Sequence, residues 1–429
     1  MMKVSRSTPV ILHPSEPTPT APYFLSNLDQ NLTVLIKTFH CFPSTARRSI
    51  TGGDDDNHIS NILRTSLQKV LVHFYPFTGR LSIAADRKLF VRFGDDDGVP
   101  FVEATADSSL EQLGDISDAL NSENLLQLVY SPQPSHDILQ LPLLAVQLTK
   151  FKCGGYSVGL TVNHSIADGV SIVRFRRAWA KTARGSPLSQ PPPFLDRSIL
   201  RASQTPEFKV SHPEYVDLAP YTSDASDSLC VRRFVFDPAK LSRLKQLGST
   251  PGGDRPSTFT SLVGFIWFAR TKALNIPSVE PIKLLFAVDI RNRVEPPLPQ
   301  EYFGNGFVLA CCLCPAGLLM NRPLNHAIEM VEEAIQGVTN RFVRSTIDFY
   351  ELTRARPSLA GTFIISSWTR LGIEPMDFGW GSSDQVELAE LFAPELAVFR
   401  TYGKGGESIS ITLALSSPTM HAFEKMMDF

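Results

Sequence analysis

The chain has 429 residues, 43% hydrophobic and 20% charged, with a formal net charge of -2. That balance belongs to a globular protein of two or three domains. The near-neutral charge excludes the basic surface that nucleic-acid binding demands, and no stretch reaches the roughly 18 consecutive apolar residues of a membrane span. Residues 1–15 are too polar and too broken by proline for a signal peptide, and the final Met427-Asp428-Phe429 matches no lipidation or peroxisomal address. Six cysteines without a secretory signal then point to reduced thiols and a cytoplasmic protein.

In chain order, residues 32–39 read as a strand. Ile59, Ile62, Leu63, Leu67, Val70, Leu71 and Phe74 recur at helical spacing, and that helix stops at Pro76. Residues 89–93, 143–151 and 156–162 read as strands, and 170–180 as an amphipathic helix. Prolines at 187, 191, 192 and 193, then a polar proline-dotted run, mark 186–228 as a crossover linker. The second half repeats the pattern: strand 230–236, helix 238–247, and helix 259–274 with Ser257 as its N-cap. Strands at 283–288 and 307–314 follow. Then come a helix over about 324–343, strands at 362–366, 396–402 and 408–415, and a last helix at 418–427. Cys311, Cys312 and Cys314 lie in the apolar run 307–314 with the wrong spacing for zinc, so they read as packing thiols and no metal is expected. Strands and helices alternate in both halves, an α/β class. The expected domains are 1–185 and 229–429, with some strands of 360–400 packing on the first.

Two segments carry chemistry. His164-Ser165-Ile166-Ala167-Asp168-Gly169 stands between a strand and a helix, and a neutral imidazole there is suited to take a proton near pH 7. A lone histidine is more often a satisfied buried one. The second segment, Asp377-Phe378-Gly379-Trp380-Gly381, about half the chain downstream, reverses that balance. A competing motif, Gly155-Tyr156-Ser157-Val158-Gly159, fits the G-x-S-x-G elbow of serine hydrolases. That elbow needs a helix after the serine, where a strand is expected here.

On the strength of these two segments, the chain resembles the plant BAHD acyltransferases over essentially its full length. Leu25-Ser26-Asn27-Leu28-Asp29, residues 75–81, Asp289-Ile290-Arg291-Asn292-Arg293, Tyr302-Phe303-Gly304-Asn305 and Ser366-Ser367-Trp368 add to the likeness. The resemblance implies two pseudo-equivalent chloramphenicol-acetyltransferase-like domains with mixed sheets and a tunnel between them. It implies acyl-CoA as co-substrate, with no permanently bound cofactor, and direct transfer to an alcohol with His164 as general base. Asp168 would pair with Arg291 and, with Gly169, shape the turn. Ser366 and Trp368 would border the acceptor and the oxyanion. Ser257, Thr258, Arg293 and Ser367 would line the CoA path, with helix capping and surface polarity as the equal alternative. Asp377, Phe378, Gly379, Trp380 and Gly381 would be structural.

Residues 25–30, 150–155 and 353–360 most resemble the branch that transfers feruloyl or caffeoyl groups to ω-hydroxy fatty acids and fatty alcohols, although 164–169 lacks the aromatic residue of that branch. The expected protein is a plant enzyme of specialised metabolism, monomeric, with an alcohol and acyl-CoA as partners. Alternatives are an acetyl or other short-chain acyl-CoA alcohol acyltransferase, a serine hydrolase using Ser157, and a non-catalytic regulator on the same fold.

Overall fold

A computed structural model of the chain describes residues 2–44, 56–114, 123–132, 137–187, 191–219, 229–249, 255–383, 387–391, 393–403 and 405–429. Residues 188–190 and 220–228 of the expected linker lie outside the described residues. Two compact units make up the chain. The first holds Met1–Arg201, Pro299–Asn305 and Leu371–Phe392, and the second holds Ala202–Leu298, Gly306–Arg370 and Ala393–Phe429. The chain thus leaves the first unit at Arg201, inside the segment read as a linker, and returns to it twice. Among the described residues no helix is long and apolar enough to cross a membrane.

The first unit contains β1 (Val4–Arg6), β2 (Val10–Leu12), β3 (Tyr23–Phe24), β4 (Leu35–Phe42), α1 (Asp56–Leu71), β5 (Arg80–Ile83), β6 (Leu89–Arg92), β7 (Val99–Ala106), α2 (Glu123–Leu126), β8 (Leu144–Lys150), β9 (Tyr156–Asn163) and α3 (Gly169–Ala183). β4 starts three residues later than residues 32–39 suggested. Leu32 N–H is spent on Asp29 O and Val34 N–H on Leu32 O, so a turn occupies that stretch. β1, β7, β8, β9 and β4 pair in that order, with β7 and β8 parallel. Every residue of β9 is buried. Tyr156, Val158, Leu160 and Val162 join one apolar cluster with Leu63 and Leu67 of α1 and Phe175 and Trp179 of α3. On β4, Phe39 and Cys41 join a second cluster with Leu125 and Leu128. Burying a side chain of this kind contributes about 1.5–3 kcal/mol. The Trp179 indole N–H donates to Leu63 O at 3.2 Å and Ser66 Oγ at 3.0 Å, so the ring is buried without an unmet donor.

The second unit holds β10 (Leu229–Phe236), α4 (Pro238–Leu247), α5 (Thr258–Ala273), β11 (Pro281–Asp289), β12 (Phe307–Pro315), α6 (Ala316–Met320), α7 (Leu324–Gly337), α8 (Asn340–Thr353) and β13 (Thr362–Ser367). Next in the chain, β14 (Glu387–Leu388) belongs to the first unit, where it pairs antiparallel with β4. β15 (Leu396–Tyr402), β16 (Ser408–Ser416) and α9 (Ser417–Glu424) complete the second unit. Its sheet runs β10-β16-β15-β13-β11-β12, with β11, β13 and β15 parallel neighbours and the other pairs antiparallel. The main sheet of each unit is mixed, β3, β6 and β5 form a further antiparallel sheet in the first unit, and both units are α/β. The single helix expected over 324–343 is two helices. Thr339 adopts an extended backbone and its side chain accepts from Phe342 N–H, an N-cap that starts α8 afresh. β12 buries Cys312 and Cys314, and burial pushes the thiols up, Cys314 to about 11. Among the described residues no group of three or more His, Cys, Asp and Glu could hold a metal ion.

Candidate active site

His164 follows the last residue of β9, and its N–H donates to Val34 O at 2.8 Å. The turn from 163 to 168 is braced from within. Asn163 Oδ1 accepts from Ser165 N–H and Oγ–H at 3.1 and 2.8 Å. Asp168 stands at the N-cap of α3, its Oδ1 accepting from Ser171 N–H at 2.9 Å, and Gly169 is the first helical residue.

The returning segment 299–305 supplies the other support. Asn305 Nδ2 donates to Asp29 Oδ1 at 2.8 Å and to His164 O at 2.9 Å. Both partners accept only, so the amide is oriented with its oxygen toward the imidazole. His164 Nδ1 lies 3.1 Å from that oxygen. An amide oxygen cannot donate, so Nδ1 carries the hydrogen and the lone pair falls on Nε2. The Asn305 side chain therefore selects the tautomer that a general base needs.

Behind Asn305 lies a buried ion pair. Asp29 and Arg197 meet at 2.9 Å with both side chains fully buried. Asp29 Oδ2 also accepts from Ser26 N–H and Oγ–H at 2.7 Å each. Arg197 Nη2 donates to Ile166 O, inside the histidine turn. Burial works against the Arg197 charge, and Asp29, Tyr23 and Tyr302 outweigh it, so its pKa is raised. Ser171 Oγ donates to Gly304 O at 2.9 Å and accepts Gly304 N–H at 3.0 Å, which fastens α3 to the same returning segment.

The second signature forms a hydrogen-bonded turn with packed aromatic rings. Asp377 Oδ1 accepts from Gly379 and Gly381 N–H at 2.8 and 3.2 Å, and both glycines have positive φ, 113° and 116°. Phe378 and Trp380 are 1% exposed. Phe378 meets Phe42 and Trp179 at centroid distances of 5.8 and 4.9 Å, and Trp380 meets Tyr156 at 5.8 Å.

The remaining sequence-selected residues lie in the second unit. Trp368 Nε1 donates to Ser366 Oγ at 3.2 Å, which leaves the serine hydrogen to donate elsewhere. Ser367 Oγ and Thr369 Oγ1 are 2.9 Å apart. Ser257 caps α5 through Thr260 N–H at 3.1 Å, and Thr258 opens that helix. Arg293 Nη1 donates to Ile335 O and Val338 O at 2.8 Å each, at the end of α7. Arg291 pairs with Asp289 at 3.0 Å.

Ser157 lies mid-strand in β9, fully buried, with no hydrogen-bond partner for its Oγ among the described residues. The strand runs on to Asn163, so no nucleophile elbow forms. Gly159 permits a close approach instead, since a Cβ there would lie 2.2 Å from Leu128 O. A different serine–histidine–acid cluster, absent from the sequence reading, joins Ser345, His212 and Glu214 at 2.8 Å per contact. All three are under a tenth exposed, and Ser345 Oγ also accepts Lys209 N–H at 3.0 Å, so this cluster fastens the 203–215 segment to α8.

The Transferase family description matches residues 2–429. Omega-hydroxypalmitate O-feruloyl transferase of Arabidopsis thaliana is 40% identical over 435 residues, 99% of this chain and 92% of that protein. Fatty alcohol:caffeoyl-CoA acyltransferase of the same plant is 40% identical over 433 residues, 99% and 98% of the two chains. Among solved structures, vinorine synthase matches with a TM-score of 0.75 at 26% identity, covering 98% of this chain and 96% of its own. The fold is that of these enzymes. With a full-length family match and relatives at 40% identity, the chain belongs to the Transferase family, the BAHD acyltransferases, and is an acyl-CoA-dependent acyltransferase.

Proposed function

We propose that the protein transfers a hydroxycinnamoyl group, feruloyl or caffeoyl, from coenzyme A to the hydroxyl of an ω-hydroxy fatty acid or fatty alcohol. The two Arabidopsis relatives carry those substrates in their names, which supports this choice. The single structural observation that carries the mechanism is the hydrogen bond between Asn305 and His164 Nδ1, which puts the lone pair on Nε2.

In this reading Nε2 takes the acceptor hydroxyl proton as the oxygen attacks the thioester carbonyl carbon. The carbonyl oxygen becomes an oxyanion, and the Ser366 O–H, oriented by Trp368, donates to it. Collapse breaks the C–S bond, and the proton on His164 leaves with the CoA sulfur. A thioester is already activated, so transfer is direct. Asp168 pairs with Arg291 besides capping α3. Ser257, Thr258, Arg293 and Ser367 border the CoA path, Ser257 and Arg293 also holding helix ends. Asp377, Phe378, Gly379, Trp380 and Gly381 hold the fold and make no contact with substrate. The same reading makes the enzyme a cytoplasmic monomer, which sedimentation of the purified chain and imaging of a fluorescent fusion check.

A donor-by-acceptor matrix tests the reaction: acetyl-, malonyl-, coumaroyl-, caffeoyl- and feruloyl-CoA against shikimate, fatty alcohols, ω-hydroxy fatty acids and polyamines, read by mass spectrometry. Feruloyl or caffeoyl esters of the long-chain alcohols should dominate. Acetyl-CoA outperforming feruloyl-CoA on one acceptor would move the enzyme to the short-chain reading. Double-reciprocal plots should intersect, as a ternary complex requires, and parallel lines would mean a covalent acyl-enzyme.

A further inference from the structure

A cavity of about 410 Å³ in the first unit takes no part in the chemistry above. Arg176, Arg177, Lys181 and Arg184 of α3 line it, together with Glu374 and Asp377. That volume is in the range of small-molecule sites, about 300–1,000 Å³. None of these residues belongs to those assigned to the proton, the acceptor or coenzyme A.

Arg176 is 5% exposed, and its partners are not anions. Nε donates to Met376 Sδ at 3.4 Å, and Nη2 meets the His40 ring. Among the described residues no carboxylate pairs with it. The contrast with Arg197, buried against Asp29 at 2.9 Å, is direct. Burial lowers the Arg176 pKa to about 9, Arg177 pushes the same way, and no acid opposes them. The two carboxylates lining the cavity are engaged. Glu374 holds Arg177 at 2.7 Å, and Asp377 Oδ1 accepts the two glycine N–H groups of its own turn. Four basic side chains thus face two acidic ones, both already committed.

A buried guanidinium without a counter-charge is unfavourable in an empty protein. Its planar fork matches a carboxylate or phosphate in bidentate fashion. We infer that this cavity is a binding site for an oxyanion, the phosphate or carboxylate group of a small ligand, with Arg176 as the central donor and Arg177, Lys181 and Arg184 around it. Occupancy neutralises a buried cation that no carboxylate among the described residues compensates, so the ligand stabilises the first unit.

Thermal melting and calorimetric titration of the purified full chain test this, with inorganic phosphate and acetate as separate probes and sodium chloride holding ionic strength constant. Phosphate or acetate should raise the melting temperature of the wild type saturably above the chloride control, and the more effective probe identifies the group. Arg176→Met should melt at or above the wild type without anion and lose the response. Lys181→Gln, on the exposed side, should fold normally and weaken binding severalfold. No response of the wild type to either probe would overturn the inference. So would an Arg176→Met protein that keeps the full response, since the anion would then sit elsewhere, the coenzyme A path included. Should Arg176→Met not fold, an unweakened response in Lys181→Gln overturns it equally.

Discussion

His164 and Asn305 stand 141 positions apart and are joined by two hydrogen bonds, ring Nδ1 to amide Oδ1 and amide Nδ2 to the histidine carbonyl. One side chain thus holds both the ring and the backbone of the residue proposed to take the proton. Its other Nδ2 hydrogen goes to Asp29, so the arrangement passes inward to the buried Asp29–Arg197 pair.

His164→Ala should lower kcat by about 10²–10⁴-fold, the usual worth of a positioned proton acceptor. Asn305→Ala should cost at least about tenfold in kcat but less than His164→Ala, because the base remains while its tautomer is no longer selected. KM should change little in both. Steady-state kinetics beside a melting curve decide. An Asn305→Ala enzyme with wild-type kcat would remove the tautomer argument.

Removing one partner of the Asp29–Arg197 pair leaves the other charge buried alone. Asp29→Ala should lose about 3–5 kcal/mol of stability, measured by urea denaturation. Asp29→Leu combined with Arg197→Met should recover part of that loss, because no charge is then stranded. A double variant no better than the single would place the energy in packing.

Asp168→Ala separates two roles. Loss of the α3 cap alone should cost about 1 kcal/mol. The proposed pair with Arg291 raises the expected loss to about 3–5 kcal/mol if buried. A double-mutant cycle with Arg291→Ala should show the coupling, and simple additivity would confine Asp168 to capping.

Trp380→Ala should destabilise the protein by about 3–5 kcal/mol, the usual range for a buried aromatic. Activity per folded molecule, assayed well below the melting temperature, should stay near wild type. A stable variant with collapsed kcat would instead make the second signature part of the chemistry.

Much of this protein was legible in its residues because the relevant physics is local. Alternating apolar residues at 156–162 marked a strand, and helical spacing from Ile59 to Leu71 marked a buried face, as observed in β9 and α1. The helix ends at Leu71, so Phe74 lies beyond it rather than within a helix running to Pro76. The Ser257 N-cap was readable for the same reason, since a cap depends on the next three residues. The break between α7 and α8 was missed because the apolar period continues across it, and only the Thr339 cap shows where the helix restarts.

The division between sequence and tertiary structure is sharpest around His164. By itself the sequence determined that a histidine ends a buried strand, ahead of an amphipathic helix and far from an aromatic glycine-rich turn. Leu25-Ser26-Asn27-Leu28-Asp29 and Tyr302-Phe303-Gly304-Asn305 stood out only as resemblances, with no role attached. Tertiary structure alone decided that Asn305 and Asp29 meet behind the imidazole, and that Arg197, from a segment read as linker, closes the network. It decided equally that Arg176 is buried with no acid beside it among the described residues. Hydrogen-bond partners hundreds of residues apart leave no periodicity in the chain. Their pairing comes from the return of residues 299–305 and 371–392 to the first unit, a choice made by packing rather than by local pattern.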